Sequence, residues 1–251
     1  LHHVSGLLPW VRSQQWGAAH RHLAPAWMRD PIQLAAAMPL DPARPGLLSL
    51  VPTQLQRLMA IPEGVAWLQQ LAVVWVGGAP LPPHLAAQAR QAGLRLAPCY
   101  GATETAAMVC ALAPEAFLAG ASGCGLPLKG VELRLGAEQA VEVRCERLSP
   151  GWLEAGRLHP LPRTADGWWR SGDAGRMGPT GLELLGRLDG AIHSGGETVF
   201  PEVLEQRLAQ LAQAAGLAQV HRLRCHQGLD RDQMAQRMQR IRELAQRQRC
   251  L

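Results

Sequence analysis

Long apolar runs and C-x-x-C cysteine pairs are missing from this sequence, and lysine is all but missing. No stretch approaches the ~18 apolar residues that a membrane span needs, and no charged-then-apolar leader resembles a signal peptide, so a cytoplasmic location is expected. The six cysteines stand at Cys99, Cys110, Cys124, Cys145, Cys225 and Cys250, with no C-x-x-C pair. That spacing argues against a structural zinc site, and a chain of 251 residues is too large to need a disulfide framework, so reduced thiols are expected. There is one lysine, Lys129, and one tyrosine, Tyr100. No internal repeat is visible, and no low-complexity segment beyond an Ala/Gln bias. What remains is globular: 47% apolar and 18% charged residues exclude a disordered tail protein and suit one large domain or one and a half ordinary ones.

The net charge of +5 is unevenly placed. Residues 1–220 balance basic against acidic groups, whereas residues 221–251 hold eight arginines against three acids. A nucleic-acid partner for the body therefore has no electrostatic support. The tail reads either as a helix solvated on one face or as a docking strip for a polyanion or acidic partner. The sequence opens at Leu1 inside an apolar motif and reads as a partial or processed chain.

Short apolar runs alternate with Ala/Leu/Gln-rich stretches through the first hundred residues. Strands are predicted at Leu47–Val51, Leu71–Val76 and Leu94–Cys99, with helices opening at Thr53 and spanning Pro82–Ala92. A further helix is predicted over Thr103–Leu112. Buried strands separated by helices imply an α/β fold with covered mixed sheets. After Ala121 the texture changes to short alternating strands at Val131–Leu135, Val141–Cys145 and Gly181–Leu185, a β-rich subdomain over about residues 122–188. Residues 189–251 follow as a hinge and a shortened C-terminal domain, with helices over Glu202–Ala215 and Asp232–Arg249.

Chemistry concentrates in turns. Gly77-Gly78-Ala79-Pro80-Leu81 and Cys99-Tyr100-Gly101-Ala102-Thr103-Glu104-Thr105 each read as a strand end of small residues entering a helix. Such turns admit a ligand close to the backbone and aim helix N-terminal amides at an anion. There Thr103 can give its hydroxyl to phosphate, Glu104 can hold Mg²⁺ through oxygen, and Tyr100 can lie against a planar base. Two plain turns with a helix cap at Thr103 explain the same letters. Trp169-Arg170-Ser171-Gly172-Asp173 places an acid just after a tight turn, suited to chelating two ribose hydroxyls. Gly186-Arg187-Leu188-Asp189 offers an arginine to ribose and phosphate. Ser194-Gly195-Gly196-Glu197 is a glycine turn ahead of a helix start at Pro201-Glu202.

In this order the segments resemble the adenylate-forming superfamily of acyl-CoA synthetases, peptide-synthetase adenylation domains and luciferases. That family carries an adenine turn, Y-G-x-T-E, x-G-D, G-R-x-D and a glycine turn before a P-x-E-[IVL]-E helix. The counterpart of the last is Pro201-Glu202-Val203-Leu204-Glu205. The opening Leu1-His2-His3-Val4-Ser5-Gly6 is similar to the family's L-F-H-V-x-G stretch, and the resemblance covers residues 1 to about 205. Within the superfamily, H-V-S-G-L and S-G-G-E-x-x-x-P look most like the o-succinylbenzoate–CoA ligases of menaquinone and phylloquinone biosynthesis.

The resemblance implies a large adenylate-forming domain, N-terminally incomplete, over residues 1–188, followed by a truncated small domain. It implies an AMP-forming acid–CoA ligase that uses ATP, Mg²⁺ and CoA on a small carboxylic acid. Gly78, Ala79, Pro80, Tyr100 and Gly101 would border adenine. Thr103 would meet the α-phosphate, Glu104 the Mg²⁺, Asp173 the ribose, and Arg187 ribose and phosphate. His3 and Ser5 would line the acyl pocket, and Asp189 would be the hinge. Departures are the absence of the family's Ser/Thr/Gly-rich phosphate loop, of any lysine after Lys129 to match the family's catalytic lysine, and of a second acid at Gly190. A non-catalytic relative that binds an adenylate or a partner, and a ligase for another acyl or aryl acid, are the alternatives.

Overall fold

In a computed structural model the described residues are 4–24, 26–194 and 197–214. The predicted helix over 232–249 and the basic strip 221–251 lie outside them, as do His3, Gly195 and Gly196.

The first sheet grows from the leucine- and valine-rich runs. Strands β1 (Gly46–Leu50), β2 (Leu71–Val76) and β3 (Leu96–Ala102) are parallel, and β4 (Ala107–Ala111) and β5 (Leu126–Pro127) extend the sheet antiparallel in the order β1-β2-β3-β4-β5. Helices α3 (Pro52–Leu58) and α4 (Pro62–Gln69) connect β1 to β2, and α5 (Pro83–Gln91) connects β2 to β3. Ahead of them run α1 (Val4–Trp16) and α2 (Pro31–Ala37); α6 (Pro114–Leu118) follows β4. From α2 onward each of these helices opens on a proline, whose missing N–H is harmless in the first turn and whose fixed φ is already helical. The core of this half is almost purely aliphatic. Leu34, Leu55, Leu58, Leu68, Val74, Leu94 and Leu96 are fully buried, with Trp67 and Phe117 beside them.

The second sheet is antiparallel, in the order β11-β10-β7-β6: β6 (Val131–Leu135), β7 (Ala140–Cys145), β10 (Trp169–Gly178) and β11 (Gly181–Arg187). A separate hairpin joins β8 (Gly151–Glu154) to β9 (Arg157–Pro160), and another joins β12 (Ile192–Ser194) to β13 (Glu197–Val199). Helix α7 (Pro201–Ala214), again opened by proline, packs on β11 with Phe200 and Leu208 buried. The second core holds Tyr100, Val109, Cys110, Val131, Val141, Val143, Trp169 and Leu182, so β3 and β4 of the first sheet also wall the second core. Backbone bonds tie the sheets: Cys124 N–H donates to the Leu182 carbonyl at 2.7 Å and Leu182 N–H to the Gly125 carbonyl at 2.9 Å. Among the described residues no helix is long and apolar enough to cross a membrane.

Candidate functional site

The site begins at the carboxyl ends of β2 and β3, where parallel strands present their ligand-facing turns. β2 runs into Gly77, whose N–H donates to the Leu50 carbonyl at 3.1 Å. A Cβ on Gly77 would stand 2.9 Å from the Cys99 sulfur, so only glycine lets the two strand ends lie this close. Gly78 then takes φ +77°, a left-handed conformation that glycine adopts without strain, and Gly78, Ala79 and Pro80 are exposed ahead of α5. This turn enters a helix as its sequence predicts.

The second turn differs from its prediction. Residues 103–112 form no helix: β3 continues through Tyr100 and Gly101, turns tightly at Thr103–Ala106, and returns as β4. The Ala/Met/Val run suits either element, and the turn chemistry decides between them. Fully buried Thr105 accepts from the Ala102 N–H through Oγ1 at 2.9 Å, and the same hydroxyl lies 2.7 Å from the Ala107 carbonyl. Ala106 and Ala107 adopt φ +51° and +86°, a strained pair held by that staple. Gly101 has no room for a side chain, since a Cβ would lie 2.6 Å from the Met108 Cα. The result presents Thr103 exposed and Glu104 half-buried at a hairpin tip, so no helix N-terminus aims amides from this turn. Glu104 is braced through its carbonyl, which accepts from Ser149 N–H at 2.7 Å.

The second sheet supplies the charged side chains. Asp173 does not follow a tight turn; it sits within β10, where pairing with β7 is interrupted between Arg170 and Ala174. Gly175, two residues on, is a packing position: a Cβ there would press on Leu182 and Val141. Directly across from Asp173 in β11 is Arg187. Tyr100 donates its hydroxyl to Asp173 Oδ2 at 2.8 Å, and Arg187 Nη1 stands 3.5 Å from Oδ1. The Arg187 guanidinium also forks onto Asp189, with both contacts at 3.2 Å. Ser171 Oγ accepts from the Asp173 N–H at 3.2 Å and fixes the local backbone. Gly172 leaves the space that the guanidinium occupies, since a Cβ there would lie 2.7 Å from Nη2.

Electrostatics follow from this geometry. Tyr100 is only 7% exposed, and its acidity is suppressed first by burial and then by the Asp173 charge, so its hydroxyl remains a donor. The Asp189 carboxyl is held below its ordinary range by the Arg187 fork. Asp173 keeps a side chain 24% exposed. Two of its roughly four lone-pair directions face Tyr100 and Arg187, which leaves acceptor capacity for a ligand diol.

Tyr100, Asp173, Arg187 and Asp189, singled out from separate motifs, thus form one connected group. Gly78–Pro80 and Thr103–Glu104 lie at the adjoining strand ends. Ser5 falls in the first turn of α1. Sequence reasoning missed Arg12. Its guanidinium lies 4.8 Å from the Trp75 ring centroid and is half-buried beside Cys99, and burial lowers its pKa. Burial pushes Cys99 itself up to about 11, with Arg12 opposing. Arg12 forms no ion pair with a carboxylate among the described residues. The available signal was a lone arginine inside the otherwise apolar stretch after His3.

No group of three or more His, Cys, Asp or Glu among the described residues could cage a metal. Mg²⁺ characteristically uses one or two carboxylates with substrate phosphates and water, and the half-buried Glu104 oxygen donor fits that mode.

The chain is 38% identical over 158 residues to the 2-succinylbenzoate–CoA ligase of Salmonella typhimurium, spanning 63% of this chain and 32% of that protein. It is 32% identical over 218 residues to the Enterococcus faecalis enzyme of the same name, spanning 83% and 44%. Among solved structures, Escherichia coli MenE with a bound phenylether-linked analogue of OSB-AMS superposes with a TM-score of 0.63 at 32% identity, over 85% of this chain and 43% of that one. Bacillus subtilis MenE in complex with the acyl-adenylate OSB-AMP shares the fold, with a TM-score of 0.67 at 23% identity. The chain therefore spans between about a third and a half of the length of these relatives. The model for "AMP-binding enzyme" matches residues 10–147, more than half of the chain and the segment that carries Tyr100, Thr103 and Glu104. On that match the chain belongs to the AMP-binding enzyme family.

Proposed function

We propose that the chain provides the adenylate-binding part of an acid–CoA ligase that acts on o-succinylbenzoate. The observation that carries this reading is the meeting of Tyr100, Asp173 and Arg187 from three motifs on two sheets. In the adenylating step a substrate carboxylate oxygen bonds to the α-phosphorus of ATP, and the bond to pyrophosphate breaks. In the second step the CoA sulfur bonds to the acyl carbon, the bond to AMP breaks, and the thiol proton passes to solvent. Catalysis of this kind rests on positioning and charge stabilisation.

Gly78, Ala79, Pro80 and Gly101 border the adenine with Tyr100, whose hydroxyl also orients Asp173. Asp173 accepts the ribose hydroxyls, Arg187 reaches ribose and phosphate, and Thr103 donates to the α-phosphate. Glu104 would hold Mg²⁺, which would supply charge neutralisation at the phosphates. By the family resemblance His3 and Ser5 are assigned to the acyl pocket, and Arg12, a half-buried cation, meets a carboxylate of the acid. Asp189 is the hinge for the residues that follow, and residues 1–188 are the large-domain part. CoA is the acceptor of the acyl group.

A second reading has one observation in its favour. Lys129, the only lysine of the sequence, is exposed in the turn between β5 and β6 and makes no ion pair with a carboxylate among the described residues, so a chain that binds an acyl-adenylate without making it also fits. Two assays separate the readings. CoA-ester formation from o-succinylbenzoate, ATP and Mg²⁺ supports the full ligase. Thioester formation only from supplied acyl-AMP supports the narrower role. Failure to bind acyl-AMP removes both.

A further inference from the structure

Glu202, in the first turn of α7, has a feature that the nucleotide site alone does not explain. Its Oε1 accepts from the Arg187 backbone N–H at 3.3 Å. Its Oε2 is buried without a hydrogen-bond partner among the described residues. An unpaired buried carboxylate oxygen is costly, and such groups are rare in folded proteins. The sequence makes room for it. A Cβ on Gly186 would come within 2.7 Å of the Glu202 carboxyl carbon, so the glycine before Arg187 is the slot into which the carboxylate fits.

The strand register gives this contact a direction. Asp173 pairs with Arg187 and Ala174 with Gly186, and successive residues of a strand face opposite sides. Arg187 sends its side chain toward Asp173 on one face of β11, while Glu202 enters against Gly186 from the other. Ala174 is fully buried on that second side, and Phe200 and Leu208 anchor α7 there. Pro201 fixes the helix start, so Glu202 is held in the first turn, where a carboxylate is also favoured by the helix dipole. The Arg187 side chain, by contrast, is 54% exposed and would sample several rotamers if its backbone were loose.

We propose that Glu202 is a positioning residue for phosphate recognition. Its carboxylate, clamped behind β11, sets the direction in which Arg187 leaves the strand toward Asp173. The inference rests on the nucleotide reading above and adds α7 to the machinery of that site.

The test is a double-mutant cycle with AMP and adenosine as probes, read by titration calorimetry on the whole chain. Glu202→Ala is expected to weaken AMP about tenfold and to leave adenosine, which lacks the phosphate, within about twofold. In an Arg187→Ala background the same change should alter AMP affinity by less than about twofold, because the group it acts through is gone. Glu202→Gln keeps an oxygen for the Arg187 N–H and should restore most of the AMP affinity. If Glu202→Ala fails to fold, Gly186→Ala displaces the carboxylate without removing it and is read the same way. Equal losses in both backgrounds, or equal losses for AMP and adenosine, would reduce Glu202 to a structural tie. A parent chain that binds neither probe overturns the nucleotide reading, and this proposal with it; the other outcomes leave that reading in place.

Discussion

The two sheets are held together by different physics. Around β1–β3 the core is aliphatic, and no charged residue is buried there among the described residues; the buried polar groups are Ser13, Thr105, Glu142 and Ser171. In the second sheet Glu142 is buried against Arg134 at 2.6 Å, and Arg144 pairs with Glu132 at 2.6 Å. Both guanidiniums lie over the Trp168 ring, Arg134 at 4.3 Å and Arg144 at 4.8 Å from its centroid. The division suits the site. The apolar sheet presents backbone at Gly78–Pro80 and adds, from β3 and the turn after it, Tyr100, Thr103 and Glu104. The charge-rich sheet already orients carboxylates and arginines by mutual pairing, and it contributes Asp173 and Arg187.

The largest effect is expected where apolar burial alone supports the fold. Leu68→Ala in the first core should lower stability by about 3 kcal/mol, read from urea midpoints. A loss under ~1 kcal/mol would mean that this half is not held by packing. Thr105→Val removes the hydroxyl that staples the strained turn and leaves the Ala102 N–H without its acceptor. A loss of about 2 kcal/mol is expected, together with weaker Mg²⁺-dependent ligand binding through Glu104. Unchanged stability would show that the turn holds without its staple.

A smaller effect is expected in alkali. Burial raises Cys99 to about 11, so between the ordinary thiol value and that point the unfolded chain gives up its proton first. Its contribution to stability is therefore complete at neutral pH and is lost as pH rises from about 9 to about 11. Cys99→Ala should lose less stability than the parent across that window in urea titrations at both pH values; parallel curves would contradict the burial. The smallest effect belongs to the exposed pairs of the second sheet. Arg144→Gln should shift the thermal midpoint only slightly and leave AMP affinity unchanged, since surface ion pairs contribute little. A large loss of binding there would erase the distinction between the pairing that frames the sheet and the pairing that forms the site.

Much of the first sheet is legible in the sequence. LAVVWV forms β2, and Pro82–Ala92 contains α5, because a continuous apolar run between helical patterns has few other uses. The predicted strands Val131–Leu135 and Val141–Cys145 form β6 and β7 because they alternate. The helix predicted over 103–112 failed because its apolar run satisfies both periods, and a buried hydroxyl at Thr105 chose the hairpin. β10 carries no strand signature in the sequence because Gly172, Gly175 and Gly178 interrupt any alternation, whereas each has side-chain atoms of its neighbours where a Cβ would sit. The site residues were legible one motif at a time. Their convergence was not, because Tyr100 and Asp173 lie far apart in sequence and meet only through tertiary packing. Arg12 and Glu202 matter through what surrounds them, and no local pattern marks that.

The central claim is that Tyr100, Asp173 and Arg187 form a nucleotide-binding group. Its most direct test is calorimetric titration of a non-hydrolysable acyl-AMP analogue into the parent chain and into Asp173→Ala. The account predicts saturable binding to the parent and at least about tenfold weaker binding to a variant that stays folded. Equal affinity in the two proteins would contradict it.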